Sequence, residues 1–447
     1  MTARMQGAAV AAVALAALLW GRAGSDQAEP VGGRFLGKEA AELSDVLGAP
    51  AGPLEPRLGR LLDQTVAWEA LAQRAFGEYL EEYLERSLDR YARPLEAGKL
   101  DRLVGHYRTV VAQALRQRAV RDLAQVARSG RITGLLVVSH SLQDGHGQIE
   151  FAVQSADSLL SLQGQLQRAS ATWQLVDLEV GGRWLSQHYR EECRRVVAPA
   201  YAPAVLEACL LQRDYIVLED FSGARPGELP PDWGLLYDKD QGKPLLYAVG
   251  EHRGKHYLAA RDTGLSVIIG KFVQWNPREY PIMTWCWRAD ALPAGGDERY
   301  KDTNDSAAGI YVVFSQNWLG VPKQIKYVWS TTLPVGTVDR RNQAFKPWFH
   351  VLESGRERLG AWTFEQVDLY AHHEEKLGGR PDDRTISLGI LTDANATDSY
   401  AEARYADIRV WTREALAAGR VRDYCDCLSD AAPGSARSNG QNRRDTP

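Results

Sequence analysis

The sequence predicts two globular domains in tandem: an N-terminal α+β domain with helices packed on a four-stranded antiparallel sheet, and a C-terminal all-β sandwich of jelly-roll type. Three observations predict it. Between about residues 58 and 212, apolar residues recur first at helical spacing and then at period two. Beyond Arg213 the apolar segments become short, β-like and separated by Gly, Pro, Asp and Asn. Most lysines and tryptophans also lie beyond Arg213, whereas the preceding half favours Arg and Ala. At 447 residues the chain exceeds one ordinary core, since domains run to roughly 100 to 200 residues. With 45% hydrophobic and 25% charged residues it is globular in composition, and a net charge of -4 gives no reason to expect nucleic acid as a partner.

The first 25 residues read as a secretory signal peptide. Arg4 precedes an apolar run from Gly7 to Trp20, shorter than the roughly 20 residues that span a bilayer, and small and polar residues follow. Removal of this segment would leave no transmembrane span. Residues 26–57, rich in Gly, Pro and Glu, read as a linker.

Residues 58–212 form the first domain. Leu61, Leu62, Trp68, Leu71, Ala72, Ala75 and Phe76 make one helical face, and Leu100, Leu103, Val104, Tyr107, Val110, Val111, Ala114 and Leu115 make another. Amphipathic helices must cover something apolar. The cover is a meander from Ile132 to Leu142, through Ile149, Phe151 and Val153, then Leu160, Leu162 and Leu166, to Trp173–Val180. Asp144-Gly145-His146-Gly147 has hairpin chemistry. After Gly181 and Gly182 the period switches, and Leu185, Tyr189, Cys193, Val196 and Val197 fall on one helical stripe.

The run Asp63, Thr65, Trp68, Leu71, Ala72, Arg74, Ala75 and Gly77, followed by Trp173, Val176, Asp177, Val180, Gly181, Leu185 and Tyr189-Arg190, resembles the periplasmic phospholipid-shuttle proteins of the MlaC or toluene-tolerance type. The resemblance spans about Leu58 to Leu211. It implies a lipid-tail cavity lined by Tyr107, Val111, Phe151, Val153, Leu162 and Val176; the residues alone read rather as a closed core. Inward-pointing Gln163 and Gln165 would mark a domain that has lost its pocket and serves as a structural adaptor.

Residues 213–412 form the second domain. Its β-like segments run Tyr215–Phe221, Leu245–Val249, Leu265–Phe272, Ile282–Ala289, Gly309–Phe314, Ile325–Ser330, Trp348–Leu352, Val367–Tyr370, Ile386–Thr392 and Tyr405–Trp411. Such strands at short spacing indicate a sandwich. Glu219-Asp220-Phe221, Trp285-Cys286-Trp287-Arg288, the stretch from Lys301 to Ala308, Tyr327-Val328-Trp329 and Ile390 to Asn395 resemble an uncharacterised bacterial envelope family, a domain of unknown function. A short helix and a polar, disordered tail are expected over residues 413–447.

Several constellations bear on chemistry. Asp302, Asn304 and Asp305, and Asp393, Asn395 and Asp398, offer oxygen ligands for calcium or serve as turn formers, and the EF-hand spacing is absent. His372-His373-Glu374-Glu375 reads as a strand end running into a loop. Glu402 and Asp407 are candidates for a glycosidase dyad, although five residues apart in a strand they face opposite ways. Trp318, Trp329, Trp348 and Trp362 offer flat faces to a glycan or acyl chain, Trp329 and Trp362 foremost. Cys193 and Cys209 pair as a disulfide if their segments are antiparallel helices. Cys286 reads as core, and Cys425 and Cys427 belong to the tail without zinc-ligand spacing.

The expected function is a periplasmic, non-enzymatic lipid-binding or carrier-like protein with an appended β-sandwich ligand-binding module, acting on a lipid or glycan alongside envelope transport machinery. No cofactor, metal or catalytic residue is assigned. The alternatives are a polysaccharide hydrolase or lyase with its site in the sandwich, and a structural adaptor without a pocket.

Overall fold

The computed structural model describes residues 54–88, 99–128, 132–155, 159–170, 172–180, 182–236, 246–340 and 346–428. The expected signal peptide, nearly all of the linker and the polar tail lie outside these residues. The chain divides into two compact units at Arg213 and Asp214.

The first unit opens with helices α1 (Leu54–Thr65), α2 (Trp68–Leu88) and α3 (Lys99–Arg128). On α2, Leu71, Ala72, Ala75, Phe76, Tyr79, Leu80, Tyr83 and Leu84 are all buried, spaced four apart in adjacent pairs on one stripe. Truncating one such side chain, Phe76 to Ala, costs about 3 to 5 kcal/mol. Strands β1 (Ile132–Gln143), β2 (His146–Ser155), β3 (Leu159–Ala169) and β4 (Thr172–Val180) form the antiparallel meander, and β5 (Arg183–Trp184) adds a fifth strand. The expectation of four strands is corrected by the turn at Gly182, whose φ of 80° reverses the chain so that Arg183 and Trp184 pair with Val180 and Glu179. Helix α4 (Leu185–Glu192) follows at once. Buried Asp177 of β4 accepts from Ser186 N at 3.2 Å and Ser186 Oγ at 2.6 Å, pinning the start of α4 to the sheet. After α5 (Arg194–Val197), α6 (Pro203–Leu210) returns, and Cys193 is disulfide-bonded to Cys209.

The second unit is two facing sheets. Its strands are β6 (Tyr215–Glu219), β7 (Trp233–Leu235), β8 (Tyr247–His252), β9 (Lys255–Asp262), β10 (Ile269–Phe272), β11 (Ile282–Ala291), β12 (Ala308–Gln316), β13 (Pro322–Ser330), β14 (Val338–Arg340), β15 (Trp348–Ser354), β16 (Thr363–Asp368), β17 (Ser387–Leu391) and β18 (Ala401–Trp411). One sheet runs β14-β15-β13-β12-β17-β10-β7; the other runs β16-β11-β18-β9-β8, with β6 also on β18. All pairings are antiparallel except β13 with β15. The sheets meet where Trp285 and Trp287 of β11 stack against Tyr327 and Trp329 of β13, with ring centroids 5.5 and 6.1 Å apart.

Three expectations for this unit are corrected. The strand placed at Val367–Tyr370 runs instead from Thr363 to Asp368, where the Asp368 side chain accepts from Ala371 N and caps a helix, α7 (Leu369–His373). His372 to Glu375 therefore sit in α7 and a following π-helical turn (Glu374–Gly378) rather than at a strand end. Cys425 is no tail residue. It is buried, in a 3-10 turn (Cys425–Leu428) that follows helix α8 (Arg413–Ala417), and it forms a disulfide with Cys286 on the outer face of β11.

Candidate functional site

The densest chemistry lies on the inner face of the second unit, where β13 and β15 of one sheet oppose β11 and β16 of the other. Period-two alternation turns Trp285 and Trp287 inward from β11 while Cys286 faces out. Register then places Glu365 beside Trp285 and Thr363 beside Trp287 on β16, and His350 beside Tyr327 on β15. A register shift between Val328 and Trp329 leaves Leu352 as an extra residue, so that Glu353 opposes Trp329. Without that bulge the alternation would send Glu353 to the other face.

Trp287 Nε1 donates to Glu365 Oε1 at 3.1 Å. Burial pushes the Glu365 carboxyl up to about 8, and the negative charge of Glu353 adds to the rise; the Trp287 hydrogen bond and Arg358 oppose it. Glu353 itself is paired with Arg358 at 2.7 Å, the carboxylate side chain 12% and the arginine 51% exposed, so this ion pair leads outward to solvent. Glu365 is thus a carboxylic acid at neutral pH beside a carboxylate.

On the same inner face, His350 stacks on His372 of α7 at 4.3 Å, and Tyr327 Oη lies 3.0 Å from His372 Nδ1. Burial, then the charges of His372 and Lys376, push His350 down to about 3, so it is neutral. Trp285 Nε1, His350 Nε2 and Thr363 Oγ1 are buried without a hydrogen-bond partner among the described residues. Three unpaired polar atoms on this inner face leave hydrogen-bonding capacity that only a water or a ligand can fill.

The sequence-derived candidates distribute differently. Trp329 is fully buried and belongs to the core between the sheets, a correction to its expected ligand-facing role. Trp362 is half-buried on the outer side, packed on Tyr257 and the Cys286–Cys425 cluster. Trp348 lies between Arg340 and Lys376, and Trp318 is 90% exposed. Glu402 engages Arg261 at 3.2 Å and Asp407 engages Arg409 at 2.8 Å, each on its own, so they form no dyad.

The two Asp and Asn loops do meet, but as structure. Asp305 accepts from Ala396 N, Thr397 N and Thr397 Oγ1, which uses both of its oxygens; Asp302, Asn395 and Asp398 are exposed. Burial pushes Asp393 up to about 6, opposed by Lys326. Lys326 Nζ donates to Ser306 Oγ at 3.0 Å, and Ser306 and Ser330 hydroxyls donate to Glu298. Among the described residues the one group with metal-ligand proximity is Cys286, Asp423 and Cys425, and its two sulfurs are in a disulfide.

In the first unit Tyr107, Val111, Leu162 and Val176 are buried core, while the side chains of Phe151 and Val153 lie outside the description. Between the helices and β4, Leu62, Leu71, Leu175, Val176, Leu185 and Tyr189 among others line a cavity of about 20 Å³. Ligand pockets measure about 300 Å³ or more. At this position the described residues leave no lipid-sized space. Gln163 is exposed and Gln165 accepts from Arg74 Nη1, so neither fills the interior. Two larger depressions are open and mixed in lining, one of about 310 Å³ beside Arg74, Asp177 and Arg190, and one of about 440 Å³ beside Trp68, Thr109 and Arg116.

Residues 237–409 match the family model described as "Protein of unknown function (DUF3047)". The C-terminal part carries a domain of unknown function. No curated protein matches the chain. Among solved structures, the chain is similar to a phospholipid-binding protein from Ralstonia solanacearum in complex with a phospholipid, at 16% identity and a TM-score of 0.27, over 39% of this chain and 93% of that one. It is also similar to the xyloglucanase domain of a type three effector from Sinorhizobium fredii in complex with cellobiose, at 9% identity and 0.23, over 44% and 94%. A mannan-recognising carbohydrate-binding module matches at 11% identity and 0.21, over 44% and 98%.

Proposed function

We propose that the protein is an exported ligand-binding protein whose second unit takes a polyhydroxylated, glycan-type ligand at the inner rim formed by β11, β13, β15 and β16. The observation that carries this reading is the set of unpartnered polar atoms, Trp285 Nε1, His350 Nε2 and Thr363 Oγ1, on the inner face that also carries Glu353 and Glu365. An unpaired buried donor or acceptor costs about 1 to 3 kcal/mol. Sugar hydroxyls donate and accept together and so satisfy an indole N–H, an imidazole nitrogen and a threonine hydroxyl at once. An acyl chain would leave all three unpaired.

The small size of the cavity described between the helices and β4, about 20 Å³, supports an adaptor role for the first unit over lipid carriage. Two disulfides support folding in an oxidising compartment, in keeping with the signal-like run from Gly7 to Trp20 and with a periplasmic location. Among the described residues no helix is long and apolar enough to cross a membrane.

The test is titration calorimetry of the oxidised full chain with cellotetraose, xylotetraose and mannotetraose, and in parallel with phosphatidylglycerol vesicles. The expected result is saturable binding of an oligosaccharide, weakened tenfold or more by Thr363→Val. Binding to vesicles alone would sink the glycan reading.

A further inference from the structure

We infer that the first unit carries a binding site of its own for an acidic sugar, a hydroxylated ring bearing a carboxylate or phosphate, in the open depression of about 310 Å³ beside Arg74 and Arg190. This site is independent of the glycan reading of the second unit. Its volume falls within the range of small-molecule pockets, about 300 to 1,000 Å³. The charge of the lining is what marks it. Arg74 of α2 and Arg190 of α4 both line the depression, and Asp177 of β4 is the one acid among the lining residues. That acid is already engaged: Asp177 Oδ1 accepts from Leu178 N at 2.8 Å and Ser186 N at 3.2 Å, and Oδ2 accepts from Ser186 Oγ at 2.6 Å. Arg74 has no ion pair among the described residues, and its side chain donates to the neutral Gln165 Oε1. Arg190 is fixed by backbone, Nε donating to Ala75 O at 2.7 Å and Nη2 to the carbonyl of Arg74 itself at 3.0 Å. Its one carboxylate contact is Glu78 at 3.3 Å, and Glu78 is 87% exposed, so the pair is weak. Two guanidiniums are thus held on one concavity by neutral oxygens. A guanidinium fork matches the paired oxygens of a carboxylate or phosphate.

The rest of the lining selects what carries the anion. Trp184 of β5 is half-buried and lines the depression with a large, rigid indole. Gln187 is exposed and stands three residues before Arg190, so the two share one face of α4. With Gln165 it supplies amide donors and acceptors, and the Ser186 hydroxyl that donates to Asp177 keeps its acceptor capacity. A sugar ring uses both kinds of surface, its C–H face on the indole and its hydroxyls on the amides. An acyl chain has nowhere to go, because the neighbouring apolar cavity, which shares Asp177 with the depression, is about 20 Å³. A neutral sugar would leave the guanidiniums without a counter-charge.

The experiment is titration calorimetry of the oxidised full chain with glucuronate, galacturonate and glucosyl phosphate, and in parallel with glucose, inorganic phosphate and phosphatidylglycerol vesicles. The expected result is saturable binding of at least one acidic sugar, about tenfold or more tighter than glucose or inorganic phosphate, and weaker when salt is raised to about 0.5 M. Arg74→Gln removes one guanidinium, and Gln187→Glu sets a carboxylate in the depression; each is expected to weaken that binding about tenfold or more. Both positions are exposed, so an unchanged unfolding midpoint is expected to accompany the loss. Binding of glucose as tight as that of the acidic sugars overturns the role of the arginines. Inorganic phosphate binding as tightly as glucosyl phosphate overturns the sugar class. Acidic-sugar binding unchanged in both variants overturns the location, and binding of vesicles with no acidic sugar bound assigns the cations to a lipid surface and overturns the inference. Binding of no acidic sugar and no vesicle overturns it as well, whatever the second unit binds.

Discussion

At the residue scale, Glu365 links stability to pH in a direction that its environment dictates. Its folded pKa is raised to about 8 from an ordinary 4.5, so the folded state holds a proton that the unfolded state has released. Stability from this group is therefore full below the unfolded value and is lost as pH rises toward 8. His350, held neutral down to about 3 against an ordinary 6.5, has the opposite sign and acts only below 6.5. Between 6.5 and 8 the contribution of His350 is constant. Over that range, Glu365→Gln is expected to gain on wild type by up to about 2 kcal/mol in urea unfolding of the second unit, and a constant difference would contradict the assigned environment. Lys326 makes the complementary case. It is buried, donates to Ser306 and holds down Glu298 and Asp393, so Lys326→Met leaves two buried carboxyls without their cation. A loss of about 3 to 5 kcal/mol is expected by the same measurement. A lysine between Ile325 and Tyr327 in an apolar strand was the available sign of this network, but its partners come from segments twenty or more residues away.

At the element scale, legibility followed length and alternation. The strands through Trp285, Ile310 and Tyr405 were readable because each runs for nine residues or more with one face apolar. β7 and β14 have three residues each and carry no period. β9 has a mixed, half-exposed pattern, and α7 depends on a single cap at Asp368. The Cys286–Cys425 bridge was hidden for a different reason. A separation of 139 residues says nothing about proximity, and only the outward face of β11 brings the thiols together. That bridge closes a far longer loop than Cys193–Cys209, whose separation is 16. In the chain-entropy account a loop of about 15 residues is worth about 3 kcal/mol and one of about 100 about 4.7. The Cys286→Ser, Cys425→Ser pair is thus expected to lower the unfolding midpoint of its unit more than Cys193→Ser, Cys209→Ser lowers that of the first, each read by calorimetry. Equal shifts would show that the long bridge constrains a chain already ordered when unfolded.

At the scale of the whole molecule, the change of composition at Arg213 was visible in the sequence, and the two compact units divide there. The site was not visible. Glu353 and Glu365 are separated by a short loop through Gly355 and Gly360, which suggests a hairpin, yet β15 and β16 belong to different sheets, and the charge of Glu353 acts on Glu365 from the opposite sheet. The same three-dimensional bookkeeping yields a count that the compartment controls. Of five cysteines, four are bridged and Cys427 is free and exposed. A chain exported to an oxidising compartment should therefore show one thiol to an aromatic disulfide reagent when denatured without reductant, and five after reduction. A chain made in a reducing cytosol should show more than one before reduction and unfold at lower temperature. One thiol from both sources would mean that the bridges form by air oxidation and carry no information on where the protein works; more than one from the exported chain would contradict the pairing itself.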